Sequence, residues 1–252
     1  MPNIVKQKLS TGKVTLGGWV MIGHPASAEL MASCGFDWVV IDTEHTSIGF
    51  EILENLLRAI ELKGALPLVR LPGHDPITLK RCLDIGARGI IVPMVNSAQQ
   101  AREVLAAAKF PPLGVRGASL CRPSEYGENF AAYYRDHNDD VLVIAMIEHL
   151  DAVANINEIV TVQGFDALFI GPYDLSSSMG IVGEFEHPKL KEALAKVQQA
   201  AKAANLPIGL HVVPPDLEQV RRRAAEGFQF IACSIDTQMI LSCGKQLARA
   251  LA

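Results

Sequence analysis

A basic block, a Cys-x-x-Cys pair, an apolar leader and a long hydrophobic run are all missing from this 252-residue chain, and each absence closes a class of function. Lysine and arginine number 23 against 27 aspartates and glutamates, a formal net charge of −4. Without clustered cations, nothing suggests a nucleic acid or an anionic membrane as partner. The five cysteines, Cys34, Cys82, Cys121, Cys233 and Cys243, are odd in number and scattered. They read as reduced thiols of a cytoplasmic protein, mostly packing, and not as disulfides, a zinc site or a nucleophile. The opening MPNIVKQKLSTGK lacks the apolar core of a secretory signal. The longest apolar run, 141–147, is far too short to cross a bilayer. No G-x-G-x-x-G follows the first β-rich run, which counts against dinucleotide binding.

What is present is a hydrophobic fraction of 49% with 20% charged residues, enough for a core that hides roughly 70–75% of the unfolded surface. A phrase recurs: Gly35-Phe36-Asp37, Gly86-Ala87-Arg88, Gly164-Phe165-Asp166 and Gly227-Phe228-Gln229 each end a helical pattern and lead at once into a β-rich run. Glycine stops a helix in the left-handed conformation, and a short apolar run after it reads as a buried parallel strand. Eight such runs occur, at 16–22, 37–42, 65–70, 89–93, 141–147, 167–171, 207–213 and 229–234. Amphipathic segments lie between them, among them 49–62, 75–85, 97–108, 151–162, 188–204 and 215–226. This alternation predicts an α/β fold, a (β/α)8 TIM barrel forming one domain over residues 1–252; a doubly wound open sheet is the alternative. Residues 109–140 break the rhythm and read as a long loop, a lid, binding loop or oligomer contact.

In such a barrel the reactive end is the C-terminal rim of the strands. Strand by strand, that rim receives Asp42, Glu44 and His45, then Arg70, then Glu148 and His149, then Gly171-Pro172-Tyr173-Asp174, then His211, then Ser234 and Asp236. Glu148 and Asp174 end neighbouring strands, so their oxygens converge. Two carboxylates there repel unless one is protonated or a cation lies between them. A hard divalent ion such as Mg²⁺, held by one or two carboxylates plus water and substrate, suits the pair and keeps positions open for Lewis-acid work. The plain alternative is that both carboxylates cap the helices that follow. His45 suits proton transfer and Arg70 a developing oxyanion or a carboxylate. His24 and His74 read as rim loop residues, His137 and His187 as solvated surface. The seventh and eighth strand ends lack a glycine-rich turn, which disfavours a phosphate ligand.

The stretches V-I-D-T-E-H, L-V-R, K-R-C-L-D-I-G-A-R-G-I-I-V-P-M-V, A-M-I-E and D-A-L-F-I-G-P-Y-D-L-S resemble the HpcH/HpaI aldolase family, over nearly the whole chain. The resemblance implies a metal-dependent (class II) pyruvate aldolase with a phosphoenolpyruvate/pyruvate-type barrel, of the 4-hydroxy-2-oxoheptanedioate or 2-keto-3-deoxy-sugar-acid type. It implies Glu148 and Asp174 as ligands of Mg²⁺, Mn²⁺ or Co²⁺, with pyruvate chelating that ion. Backbone N–H groups around the stretch Gly171-Pro172-Tyr173-Asp174, in which the proline has none to offer, would hold the pyruvate carboxylate. Arg70 would stabilise the enolate, and His45 would take the proton of the 4-hydroxyl. Asp84, in L-D-I-G, is implied to raise the basicity of His45. By position, however, Asp84 ends a helix ahead of the fourth strand, at the opposite rim, and Asp42 is better placed to orient His45 or Arg70. The resemblance also implies a hexamer, a trimer of dimers, with the last helix (about 237–252) exchanged between neighbours and the 109–140 loop bringing Arg116, Arg122 or Tyr126 to a neighbour's pocket. Two positions depart from the family: Met146 where relatives carry glutamine, and His149 where they often carry threonine; both bear on the acceptor aldehyde.

The expected reaction is therefore reversible cleavage of a 4-hydroxy-2-oxo acid to pyruvate and an aldehyde, with oxaloacetate decarboxylation as a side activity. An acyl-CoA lyase of the citrate-lyase-β type would need a basic CoA surface and usually a longer chain. A non-catalytic barrel scaffold would tolerate a degraded rim, whereas acid, base and cation positions are all filled.

Overall fold

The computed structural model describes residues 3–250. Eight strands run β1 (Thr15–Val20), β2 (Trp38–Asp42), β3 (Leu66–Arg70), β4 (Gly89–Val92), β5 (Leu142–Ile147), β6 (Ala167–Ile170), β7 (Ile208–Val212) and β8 (Phe230–Ile235). Each pairs in parallel with its sequence neighbours, and β8 pairs with β1, so the sheet closes. The chain is a single TIM barrel, and an open doubly wound sheet is excluded. The four glycines of the recurring phrase all take positive φ (84°, 115°, 126° and 93°); Gly35, Gly86 and Gly227 directly follow a helix C-cap, whereas Gly164 lies in the turn after a helix that ends at Ile159.

Side chains alternate across each strand and sort into two cores. Outward residues such as Val39, Ile41, Val69, Ile90, Val143, Leu168 and Leu210 pack under the surrounding helices. Inward residues form a second cluster of Trp19, Trp38, Val40, Leu68, Ile144, Phe169 and Phe230. Trp38 and Phe230 stack face to face with ring centroids 3.9 Å apart. Below them Val5 and Leu9, from the helix Ile4–Ser10, close the N-terminal end of the barrel. Lys6 and Lys8 of that helix tie it to Asp166 and Asp37.

Three expectations need correction. Strand β1 stops at Val20 because the backbone N–H groups of Met21 and Ile22 donate to the Asp236 carboxylate (3.1 and 3.0 Å) instead of a neighbouring strand. The helix expected over 151–162 breaks at Asn155 into Leu150–Ala154 and Ile156–Ile159. The 109–140 segment is structured in its second half: a 3₁₀ turn over Arg122–Gly127, then the helix Phe130–Asp140. The final helix, Asp236–Ala248, buries no side chain but Asp236, and exposes Ile240, Leu241 and Leu247. No described helix is long and apolar enough to cross a membrane.

Candidate active site

At the C-terminal mouth lies a cavity of about 320 Å³, walled by Trp19, Asp42, His45, Arg70, Met146, Phe169, the stretch Gly171–Asp174 and His211. Asp42, the last residue of β2, is fully buried. It receives Arg70 from β3 through Nε (3.1 Å) and Nη2, and the register of the two strands sets the pair opposite one another. Its Oδ1 also accepts the N–H groups of Glu44 (3.0 Å) and His45 (3.2 Å). Burial pushes the Asp42 carboxyl up, but Arg70 and the two amides reverse that and hold it below the ordinary range. Asp42 thus fixes the Arg70 guanidinium and folds the loop carrying His45; it does not touch the imidazole.

Arg70 is 8% exposed, lies 5.1 Å above the Trp19 ring and reaches Glu44 through Nη1 at 3.1 Å. Both its carboxylate partners are in place before any ligand arrives. His45 is its opposite: half of its side chain is open to solvent, with Nε2 3.7 Å from Glu44.

Glu148 follows β5 directly and is 3% exposed. Its Oε1 accepts the Met94 N–H at 2.8 Å, a donor aimed by a left-handed Met94 (φ 54°). Its Oε2 lies against Gly171, where a Cβ would stand 2.6 Å away, so a side chain at residue 171 would displace the carboxylate. Asp174 sits in the first turn of the helix Pro172–Ser178. Burial pushes the Glu148 carboxyl up to about 7, opposed by the Met94 amide and reinforced by the negative charges of Glu44 and Asp174.

Neither Glu148 nor Asp174 is a helix cap. The helix Leu150–Ala154 is capped by His149, whose Nδ1 accepts the Asp151 N–H at 3.2 Å, and Pro172–Ser178 has no side-chain cap. The capping alternative fails, and His149 is directed at its own helix. Among the described residues no three of His, Cys, Asp and Glu surround one point. The donor set is two hard carboxylates in a negatively charged corner whose one nearby guanidinium is already engaged, which fits an oxygen-loving dication with few protein ligands.

The remaining expected residues lie elsewhere. Asp84 ends the helix Pro76–Asp84 at the N-terminal rim, where its Oδ1 accepts from Arg116 at 2.7 Å. Within one chain it does not reach His45. Arg122 is at that same rim, paired with Glu61 and packed on Gly86, so it contributes nothing to its own chain's cavity. Tyr126 is exposed in the 3₁₀ turn. His137 is no surface residue: it is buried between Arg116 and Phe110, and desolvation, helped by the Arg116 charge, drives it down to about 3. His24 and His187 cap helices, and His74 contacts the Pro93 carbonyl. Asp236 accepts from Met21, Ile22 and Ser27, an architectural role. Nothing in the residue pattern signals the Met94 amide, which comes from backbone conformation, or Trp19 beneath Arg70.

The chain is similar to known proteins along nearly its whole length. Residues 15–243 match the family described as HpcH/HpaI aldolase/citrate lyase. The chain is 40% identical over 237 residues to the 2-dehydro-3,6-dideoxy-6-sulfogluconate aldolase of Pseudomonas putida, covering 94% of this chain and 92% of that one. It is 35% identical over 255 residues to the 4-hydroxy-2-oxo-heptane-1,7-dioate aldolase of Shigella sonnei (strain Ss046), covering 98% and 94%. A solved HpcH/HpaI aldolase/citrate lyase family protein from Burkholderia cenocepacia J2315 superposes with a TM-score of 0.93 at 31% identity, over 98% of both chains.

Proposed function

The chain belongs to the HpcH/HpaI aldolase/citrate lyase family and is a carbon–carbon lyase, and from that premise we propose that it reversibly cleaves a 4-hydroxy-2-oxo acid into pyruvate and an aldehyde with the help of a divalent cation at Glu148 and Asp174. The observation that carries the reading is the Glu148 carboxylate, buried against Gly171 with Glu44 and Asp174 near enough to raise its pKa. Glu148 and Asp174 would hold Mg²⁺, Mn²⁺ or Co²⁺, which would supply Lewis acidity there. Backbone N–H groups at Tyr173 and Asp174, opening the helix Pro172–Ser178, hold the carboxylate end. Arg70, kept rigid by Asp42 and Glu44, stands by the oxygen on which negative charge grows.

His45 takes the proton of the 4-hydroxyl from the open side of the cavity. The C3–C4 bond breaks, its electron pair passes into the pyruvate half as an enolate, and the aldehyde leaves. Protonation at C3 completes pyruvate. Oxaloacetate decarboxylation follows the same electron flow with carbon dioxide as the leaving fragment. Asp84 and Arg122 act on a cavity only across a subunit boundary, in keeping with a hexamer built as a trimer of dimers and a last helix whose Ile240 and Leu247 are 64% and 70% exposed.

The test is exchange of the pyruvate methyl protons with D₂O, which reads enolate formation without any aldehyde. Exchange that disappears with chelator and returns with one of the three ions is the expected result. Exchange that no divalent ion restores, or none in the first place, would sink the reading.

A further inference from the structure

We propose that His211, near the end of β7, is a specificity-determining residue whose unprotonated Nδ1 accepts a hydrogen bond from a hydroxyl on the aldehyde half of the substrate, so that the enzyme selects hydroxylated aldehydes over alkyl ones. The proposal rests on the aldolase reading above and names the substrate class within it.

Alternation along β7 fixes where the ring goes. Leu210 and Val212 belong to the outer core, while Gly209 faces Phe169 and Phe230 inside the barrel, so His211 points inward as well. There its ring stacks on Trp19, with centroids 4.8 Å apart and planes 28° from parallel. Its Nε2 lies 3.2 Å from the Ser234 carbonyl oxygen. A carbonyl can only accept, so Nε2 carries the proton and Nδ1 keeps its lone pair. Burial, aided by the Arg70 charge, lowers the imidazole to about 4, and the neutral form persists through the working pH range. Stack and hydrogen bond together leave the ring one orientation.

Nδ1 has no hydrogen-bond partner among the described residues, yet it is not sealed off as Glu44 Oε2 and Arg116 Nε are. His211 lines the cavity beside the apolar Trp19, Met146, Phe169 and Val213 and the polar Arg70 and Asp174. A fixed lone pair on such a wall has a narrow set of complements. A carboxylate or sulfonate meets it acceptor against acceptor, and a methylene displaces water from it with nothing in return. A hydroxyl satisfies it. Every substrate of this reaction carries a 4-hydroxyl, which the mechanism assigns to His45; a second hydroxyl, on the aldehyde fragment, is what His211 distinguishes. Buried polar groups left unpaired are the strongest basis for rejecting an isostere.

The experiment compares aldol addition of pyruvate to 2-hydroxypropanal with addition to 2-methylpropanal, which replaces the hydroxyl by a methyl of similar size. The wild-type enzyme should favour the hydroxylated acceptor in kcat/KM by at least about tenfold. His211→Phe keeps a ring on Trp19 and removes the acceptor, and that preference should fall to within about threefold. A wild-type ratio near one overturns the proposal without any variant, and so does a preference that survives in His211→Phe. Pyruvate methyl exchange in the same samples separates the two claims. Its absence in wild type fails the aldolase reading, whereas exchange with no acceptor preference fails His211 alone.

Discussion

The two ends of the barrel contain the same device. At the C-terminal mouth Asp42 grips Arg70, the guanidinium lies 5.1 Å over Trp19, and a histidine of depressed pKa, His211, stacks on that ring. At the N-terminal rim Asp84 grips Arg116, the guanidinium lies 4.7 Å over Phe110, and His137, also of depressed pKa, packs on that ring. What differs is the surrounding charge. The lower rim neutralises itself: Lys6 with Asp166, Lys8 with Asp37, Arg88 with Asp140, Arg122 with Glu61. The upper rim gathers Asp42, Glu44, Glu148 and Asp174 around Arg70 alone, with His45 half in solvent. An aspartate–arginine pair on an aromatic ring is therefore no mark of a reactive centre. The mark is an unbalanced cluster of carboxylates at the end that is open.

Three measurements press on that contrast. Glu148→Gln removes one proposed ligand from the unbalanced end and should cut pyruvate methyl exchange by about a thousandfold or more while circular dichroism stays that of the native barrel; a loss under tenfold would place the chemistry elsewhere. Arg116→Met strikes the balanced end, leaving the Asp84 carboxyl and His137 without their buried partner. It should cost about 3 kcal/mol in denaturant unfolding, and a cost under about 1 kcal/mol would show the cluster to be solvated. The third effect is the smallest. Because the folded state holds the Glu148 proton up to about 7, whereas the unfolded chain releases it in the ordinary carboxylate range, this group favours folding at low pH and loses that contribution as pH rises through 7. Chelator-treated wild type should thus fall behind Glu148→Gln by on the order of 2 kcal/mol between pH 5 and 8; parallel pH profiles would contradict the burial of that charge.

Much of this was legible in the chain itself. Glycine-stopped helices and short apolar runs located all eight strands to within two or three residues, because a parallel strand covered on both faces has to be continuously apolar. Titratable residues at strand ends located Asp42, His45, Arg70, Glu148 and Asp174 at one rim for the same reason: the strand interior excludes them. The helix Ile4–Ser10 has no legible pattern because only Val5 and Leu9 make its buried contact, too few to set a period. His137 reads as surface because charged neighbours in R-D-H-N-D-D hide the stripe that Phe130, Tyr133, Tyr134 and His137 share at helical spacing. Met94 carries no signal at all, since what it offers Glu148 is an amide, common to every residue but proline.

The plug of Val5 and Leu9 beneath the stacked Trp38 and Phe230 has a kinetic corollary. With that end closed by side chains, the cavity among the described residues opens at the C-terminal mouth. Under the proposed reaction, both products would leave by the same mouth through which the substrate entered.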